Sequence, residues 1–137
     1  MLILGFFGVG KTTCKNEMMV DLTDEGSPSL SLLQSAVSTY DVVMADPMWE
    51  KVFLESGLPF YVVVPTLDRK EEFLANFRRR CKEGKGGGSE LFCKVVGDNW
   101  ERWITHLLSL PALAHIEIEE GVWLSDFLSH LSPYHTD

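Results

Sequence analysis

No apolar run in this sequence approaches the about 20 residues that a membrane-spanning helix needs. The opening Met-Leu-Ile-Leu is too short for a signal peptide and lacks its basic start. Basic charge is in deficit as well. Lys and Arg number 12 against 20 Asp and Glu, the formal net charge is −8, and no basic tail stands out, so nothing in the composition marks a nucleic-acid surface. Cysteine is scarce. Cys14, Cys81 and Cys93 are odd in number and lack metal-ligand spacing, which argues against a disulfide framework or a zinc site and for thiols in a reducing compartment. There is no internal repeat and no domain linker. The expectation from these absences is a cytoplasmic protein with neither membrane nor nucleic acid as partner.

What is present is a chain of 137 residues, 45% hydrophobic and 23% charged, enough for one good core and one domain over residues 1–137. Short apolar runs alternate with segments of helical period, the pattern of a parallel sheet with crossover helices, so the fold class is α/β. Strands are expected at Met1–Leu4, Met19–Leu22, Val42–Ala45, Phe60–Val64 and, as an edge, Ala114–Ile118. Helices are expected from Lys11 to about Met18, around Leu30, Leu33 and Val37, over Trp49–Ser56, from a cap at Asp68 through about Arg80, over Asp98–Leu110, and from Val122 to Leu131. Residues 83–90, with their glycine run, predict a flexible loop, and 132–137 a frayed tail. Trp100 and Trp103 share a helical stripe with Ile104, Leu107 and Leu108, which makes them core residues rather than a base-stacking platform.

The chemically specific feature is Gly5-Phe6-Phe7-Gly8-Val9-Gly10-Lys11-Thr12, which matches glycine, four residues, glycine, lysine and serine or threonine. It falls between a predicted strand and a predicted helix, the context a P-loop requires. Glycines at 5, 8 and 10 let the backbone wrap a phosphate with its amide hydrogens, Val9 included, and the helix start adds its positive dipole end. Lys11 can reach the β- and γ-phosphates and the Thr12 hydroxyl can ligate magnesium, with Thr13 next to it. ATP and Mg2+ are therefore the expected ligands.

A P-loop works with an acid near the magnesium, commonly at the end of a neighbouring buried strand. Asp46 fits that position, and equally fits a capping aspartate before Pro47. Asp21 and Asp24 follow the second strand, where they orient a substrate hydroxyl, hold metal-bound water, or stand as solvated turn acids. A second basic group is Arg78-Arg79-Arg80, with Arg69 and Lys70 at the start of the same helix. Consecutive arginines cover most of a helical circumference, so at least one can turn to the phosphates and stabilise charge in transfer. The alternative is a solvated helix end whose cations complement the dipole.

In these residues the chain resembles the small adenylate kinase-like and deoxynucleotide kinase-like P-loop proteins of bacteria and their phages. The resemblance is carried by Gly5 to Thr13, Val20-Asp21-Leu22, Tyr40-Asp41-Val42-Val43, Tyr61-Val62-Val63-Val64-Pro65, Lys70-Glu71-Glu72-Phe73 and Asn99-Trp100-Glu101-Arg102-Trp103-Ile104. It implies a three-layer P-loop fold with a parallel sheet of about five strands in order 2-3-1-4-5, and an abbreviated lid around the arginine helix. It also implies a transferase moving phosphate from ATP to a nucleoside or deoxynucleoside monophosphate, in a bacterial or phage-infected cell. Lys11 and Thr12 would hold the donor, Asp46 the magnesium, Asp21 the acceptor, and one of Arg78, Arg79 and Arg80 the transferred phosphate. The chain is shorter than standard members and lacks their base-binding insertion. Two other readings stay open: a kinase of a small alcohol, resembling shikimate-type kinases, and a nucleotide-binding regulator without catalysis.

Overall fold

The computed structural model describes residues 1–11, 18–84 and 89–129. Its centre is a five-stranded, all-parallel sheet built from β1 (Leu2–Gly5), β2 (Met19–Asp21), β3 (Val42–Ala45), β4 (Tyr61–Pro65) and β5 (Ala114–Ile118). The strand order is β2-β3-β1-β4-β5, the order expected. The inner strands β1 and β3 are buried along their whole length, as continuous apolar runs in a parallel sheet must be. The edge strand β5 alternates instead, with His115 and Glu117 exposed, Ala114 and Ile116 half-buried and Ile118 buried, because only part of it faces the core.

The helices are α1 (Leu30–Thr39), α2 (Glu50–Ser56), α3 (Lys70–Lys82), α4 (Glu90–Leu108) and α5 (Leu124–Ser129). The connections through α1, through α2, and through α3 with α4 all step in one direction across the sheet, so right-handed crossovers put these helices on one face. Contacts agree: α1 packs on α2, and the α2 carboxylate of Glu50 meets His106 of α4 at 2.8 Å. The connection leaving β1 steps the other way. The chain therefore diverges at the carboxyl ends of β1 and its neighbours β3 and β4, which opens a crevice there. Among the described residues no helix is long and apolar enough to cross a membrane.

Three expectations change. Asp68 caps no helix: it lies inside a 3-10 turn, Leu67–Arg69, and neither that turn nor α3 has a side-chain capping bond. Helix α4 begins at Glu90 rather than Asp98, because Ser89 accepts the amide of Phe92 as an N-cap and Cys93 and Val96 extend the buried stripe of Trp100, Ile104 and Leu107 backward. Gly97 inside it does not break the helix but lets α3 approach: a Cβ there would sit 3.3 Å from Leu74 Cδ1. The loop expected over 83–90 is therefore shorter at its far end, and residues 85–88 lie outside the described residues. The arginine helix is also no free lid. Phe73, Leu74 and Phe77 of α3 belong to the core, and the helix packs along α4. The helix expected from Lys11 to Met18 and the tail at 132–137 lie outside the described residues, apart from Lys11 and Met18 themselves.

Candidate functional site

Strand β1 delivers Gly5 to the carboxyl edge in the middle of the sheet. The loop after it is held by its own apolar side chains. Phe6 and Val9 are fully buried; the Phe6 ring meets Trp100 edge-on at 5.3 Å, and Phe7 meets Phe92 likewise at 5.3 Å. Backbone bonds tie it down further: Phe6 N–H donates to Val63 O of β4 at 2.9 Å, and Leu124 N–H donates to Val9 O at 2.9 Å. Gly8 and Gly10 have φ of +81° and +104°, a region that side chains disfavour. Gly8 has a second reason to be glycine, since a Cβ there would lie 2.7 Å from Phe77 Cε1 of α3. Gly5 is crowded too, with its Cβ position 3.1 Å from Val9 Cγ2 and 3.4 Å from Lys11 Cδ.

Lys11 folds back over this loop. Its ammonium donates to the carbonyls of Gly5 and Phe6, both at 2.9 Å, and the side chain is buried. Turning the ammonium to a phosphate would exchange neutral carbonyl acceptors for a charged one, a bond roughly twice as strong. Thr12 and Thr13, expected as magnesium ligand and loop residue, lie outside the described residues.

The acids divide. Asp21, at the end of β2, is buried; Asp24 is exposed. One Asp21 oxygen accepts the Thr23 amide at 3.1 Å, and the Thr23 hydroxyl, which also bonds the Asp21 carboxylate, accepts the amide of Asp46 at 3.1 Å. One threonine thus couples the carboxyl ends of β2 and β3. Thr23 was not singled out in the sequence, where it is one more hydroxyl in an acidic turn. Asp46 is buried and its Oδ1 caps the turn Pro47–Trp49 through the Met48 amide at 2.9 Å. Capping does not exhaust a carboxylate, which has two oxygens and about four lone-pair sites.

Burial holds the Asp21 carboxyl above its ordinary value of 3.8, against the pull of the Lys11 charge and the Thr23 hydrogen bonds, with Asp24 adding to the rise. A carboxyl whose pKa is higher in the fold contributes stability that is complete below the unfolded value and disappears as pH climbs through the folded one. Above the unfolded value the raised pKa is thus a net cost to the fold. Asp21→Asn is expected to unfold at higher denaturant than the parent at neutral pH, with an advantage that shrinks toward about pH 4. An advantage that instead grows on acidification would contradict the sign.

The arginines separate by helical angle. At about 100° per residue, Arg80 lies about 20° from Phe73 and 60° from Phe77, the α3 residues that face the loop, whereas Arg78 and Arg79 lie more than about 100° from Phe73. Arg80 is half-buried; Arg79 is exposed, and Arg78 lines a groove of about 540 Å³ between α3 and α4. Of the three, the fold orients Arg80 with the stripe that meets Gly8, and leaves Arg78 and Arg79 elsewhere. Arg69, read in the sequence as part of the same basic group, faces neither solvent nor phosphate. It is 2% exposed, forks onto Glu72 at 2.9 and 2.8 Å, donates to the carbonyls of Ile118, Glu119 and Val122, and lies over the rings of Phe73 and Trp123. It clamps α3 to the chain leaving β5, which in turn borders Gly10.

Among the described residues no group of three or more His, Cys, Asp or Glu is arranged to hold a metal alone. Magnesium bound through phosphates needs no such cage, because it is typically held by one or two carboxylates, phosphate oxygens and water. A buried Asp46 beside the loop suits that donor set. Comparison of the chain with models of known protein families, with curated proteins and with solved structures gives no match.

Proposed function

We propose that this protein binds ATP with magnesium at the loop Gly5–Thr12 and transfers the γ-phosphoryl group to a small acceptor held at the carboxyl ends of β2 and β3. The observation that carries this reading is the loop itself. Two glycines at positive φ, a lysine whose ammonium lies on the carbonyls of Gly5 and Phe6 at the start of the same loop, and a position at the carboxyl end of a central parallel strand support it, because phosphate binding uses this arrangement. Lys11 would bind and orient the β- and γ-phosphates. Asp46 and Thr12 would hold the magnesium, which when bound neutralises phosphate charge. Arg80 would stabilise charge on the group in transfer, and Asp21 would face the acceptor. Such catalysis consists mostly of positioning and charge neutralisation, so no nucleophile–base pair is called for. ATP supply and free thiols both suit a cytoplasmic setting.

Thermal unfolding with and without magnesium-ATP tests the donor site. The parent protein is expected to melt higher with the nucleotide, by mass action, and Lys11→Ala to lose that shift while melting normally without ligand. A Lys11→Ala variant with the full nucleotide shift would refute the assignment. Full binding without transfer to any acceptor would favour a regulator.

A further inference from the structure

The chain's charge is divided along the sheet. From Asn16 to Glu50 the sequence contains no Lys, Arg or His, and from Gly26 to Tyr40 it contains no charged residue at all. That stretch comprises β2, α1 and β3, which form one half of the sheet beside β1. At its carboxyl edge the fold sets the buried carboxylates of Asp21 and Asp46, joined through Thr23, with exposed Asp24 and Glu25 next to them. The cations assigned to the phosphoryl donor, Lys11 and Arg80, come instead from the loop after β1 and the helix after β4. An apolar side chain, Met48, stands 71% exposed just beyond Asp46.

A monophosphate acceptor is a dianion near neutral pH, and a site for it must supply cations on the acceptor side or suffer like-charge repulsion. Among the described residues that side supplies the carboxylates of Asp21, Asp24, Glu25 and Asp46 and the hydroxyl of Thr23, while Lys51, at the start of α2, is exposed and pairs with Glu55 at 3.9 Å. We propose that the acceptor is a small alcohol without an anionic group, either uncharged or carrying an amine, and not a nucleoside monophosphate. This rests on the donor reading above and specifies its second substrate. The acceptor's hydroxyl oxygen attacks the γ-phosphorus and forms the new O–P bond. The bond from that phosphorus to the β,γ-bridging oxygen breaks, ADP leaves with the electron pair, and the hydroxyl proton passes to the Asp21 carboxylate. A protonated amine on the same molecule gains from the acidic edge what a phosphate would lose there.

The test offers magnesium-ATP and the full chain two acceptor panels, the common ribo- and deoxyribonucleoside monophosphates and a set of polyols, sugars and amino alcohols. ADP release is followed together with phosphorus NMR of the products. The expected result is a phosphate monoester from at least one alcohol, at a rate at least tenfold above acceptor-free ATP hydrolysis, with every nucleoside monophosphate at the acceptor-free rate. Formation of two diphosphates from any nucleoside monophosphate overturns the inference and leaves the donor reading intact, whereas transfer to neither panel while magnesium-ATP still binds overturns the inference and leaves nucleotide binding as the part of that reading that stands. Loss of magnesium-ATP binding itself would count against the donor reading instead, and the thermal shift reads that separately.

Discussion

Arg80→Ala is expected to lower turnover by about a hundredfold or more, to leave the melting temperature nearly unchanged, and to weaken ATP binding far less than it slows transfer. The reason is positional. Arg80 is half-buried on the α3 stripe whose Phe73 and Phe77 pack against Gly8 of the loop, yet it is not itself part of the apolar core. A charge used mainly when the γ-phosphoryl group is between donor and acceptor affects the rate rather than the ground state. Arg79→Ala is the internal control. Its side chain is exposed and about 120° from Phe73, so turnover and stability should both stay at the parent's level. Steady-state kinetics on the acceptor identified by the two panels, with calorimetric ATP titration alongside, reads both quantities. Equal turnover in the two variants would return the arginine run to the role of a solvated helix end.

Trp100→Ala carries the largest expected effect on stability. The indole is 3% exposed, meets Phe6 and Phe73 edge-on, and donates Nε1–H to the carbonyl of Leu67 at 2.9 Å. Truncation would open a cavity beneath the loop and remove the Leu67 carbonyl's indole donor, so a loss of about 3–5 kcal/mol is expected from denaturant unfolding. Trp103 is only half-buried, with its ring tilted on Phe7 at 6.1 Å, and Trp103→Ala should cost less. Because Phe6 lies within the loop, Trp100→Ala should also weaken nucleotide binding in whatever fraction remains folded. Equal losses for the two tryptophans would mean that α4 does not support the loop in the manner described.

Much of the scaffold is legible in the residues because the signals are local. Val42–Ala45, apolar, β-branched and ended by Asp46-Pro47, forms the strand expected of it, and the run expected over Phe60–Val64 forms a strand one residue further on, Tyr61–Pro65. The start of α4 is hidden for an equally local reason: the glycine run over 83–90 signals a loop, beside which the Ser89 cap and the spacing of Cys93 and Val96 are weak signals. The site shows the opposite limit. The loop motif is visible in eight consecutive residues, but Arg69 resembles any arginine at a helix start. Its bond to Glu72, three residues on, is the kind of pair a sequence can suggest; its carbonyl partners at 118, 119 and 122 are fixed only by the β4–β5 pairing. The same holds for Thr23, whose link between Asp21 and Asp46 exists because β2 lies beside β3. The stretch without cations is plain in the sequence, yet it acquires meaning only once the topology gathers it at one edge of the sheet.

The most direct test of the central claim is amide chemical-shift mapping of the full chain during titration with magnesium-ATP. The amides of Gly8, Gly10 and Lys11 are expected to move first and furthest, with the Leu124 amide following through its bond to Val9 O, and Lys11→Ala is expected to abolish the loop shifts at the same nucleotide concentration. Shifts confined to the groove between α3 and α4, with the loop amides unmoved at saturating nucleotide, would contradict it.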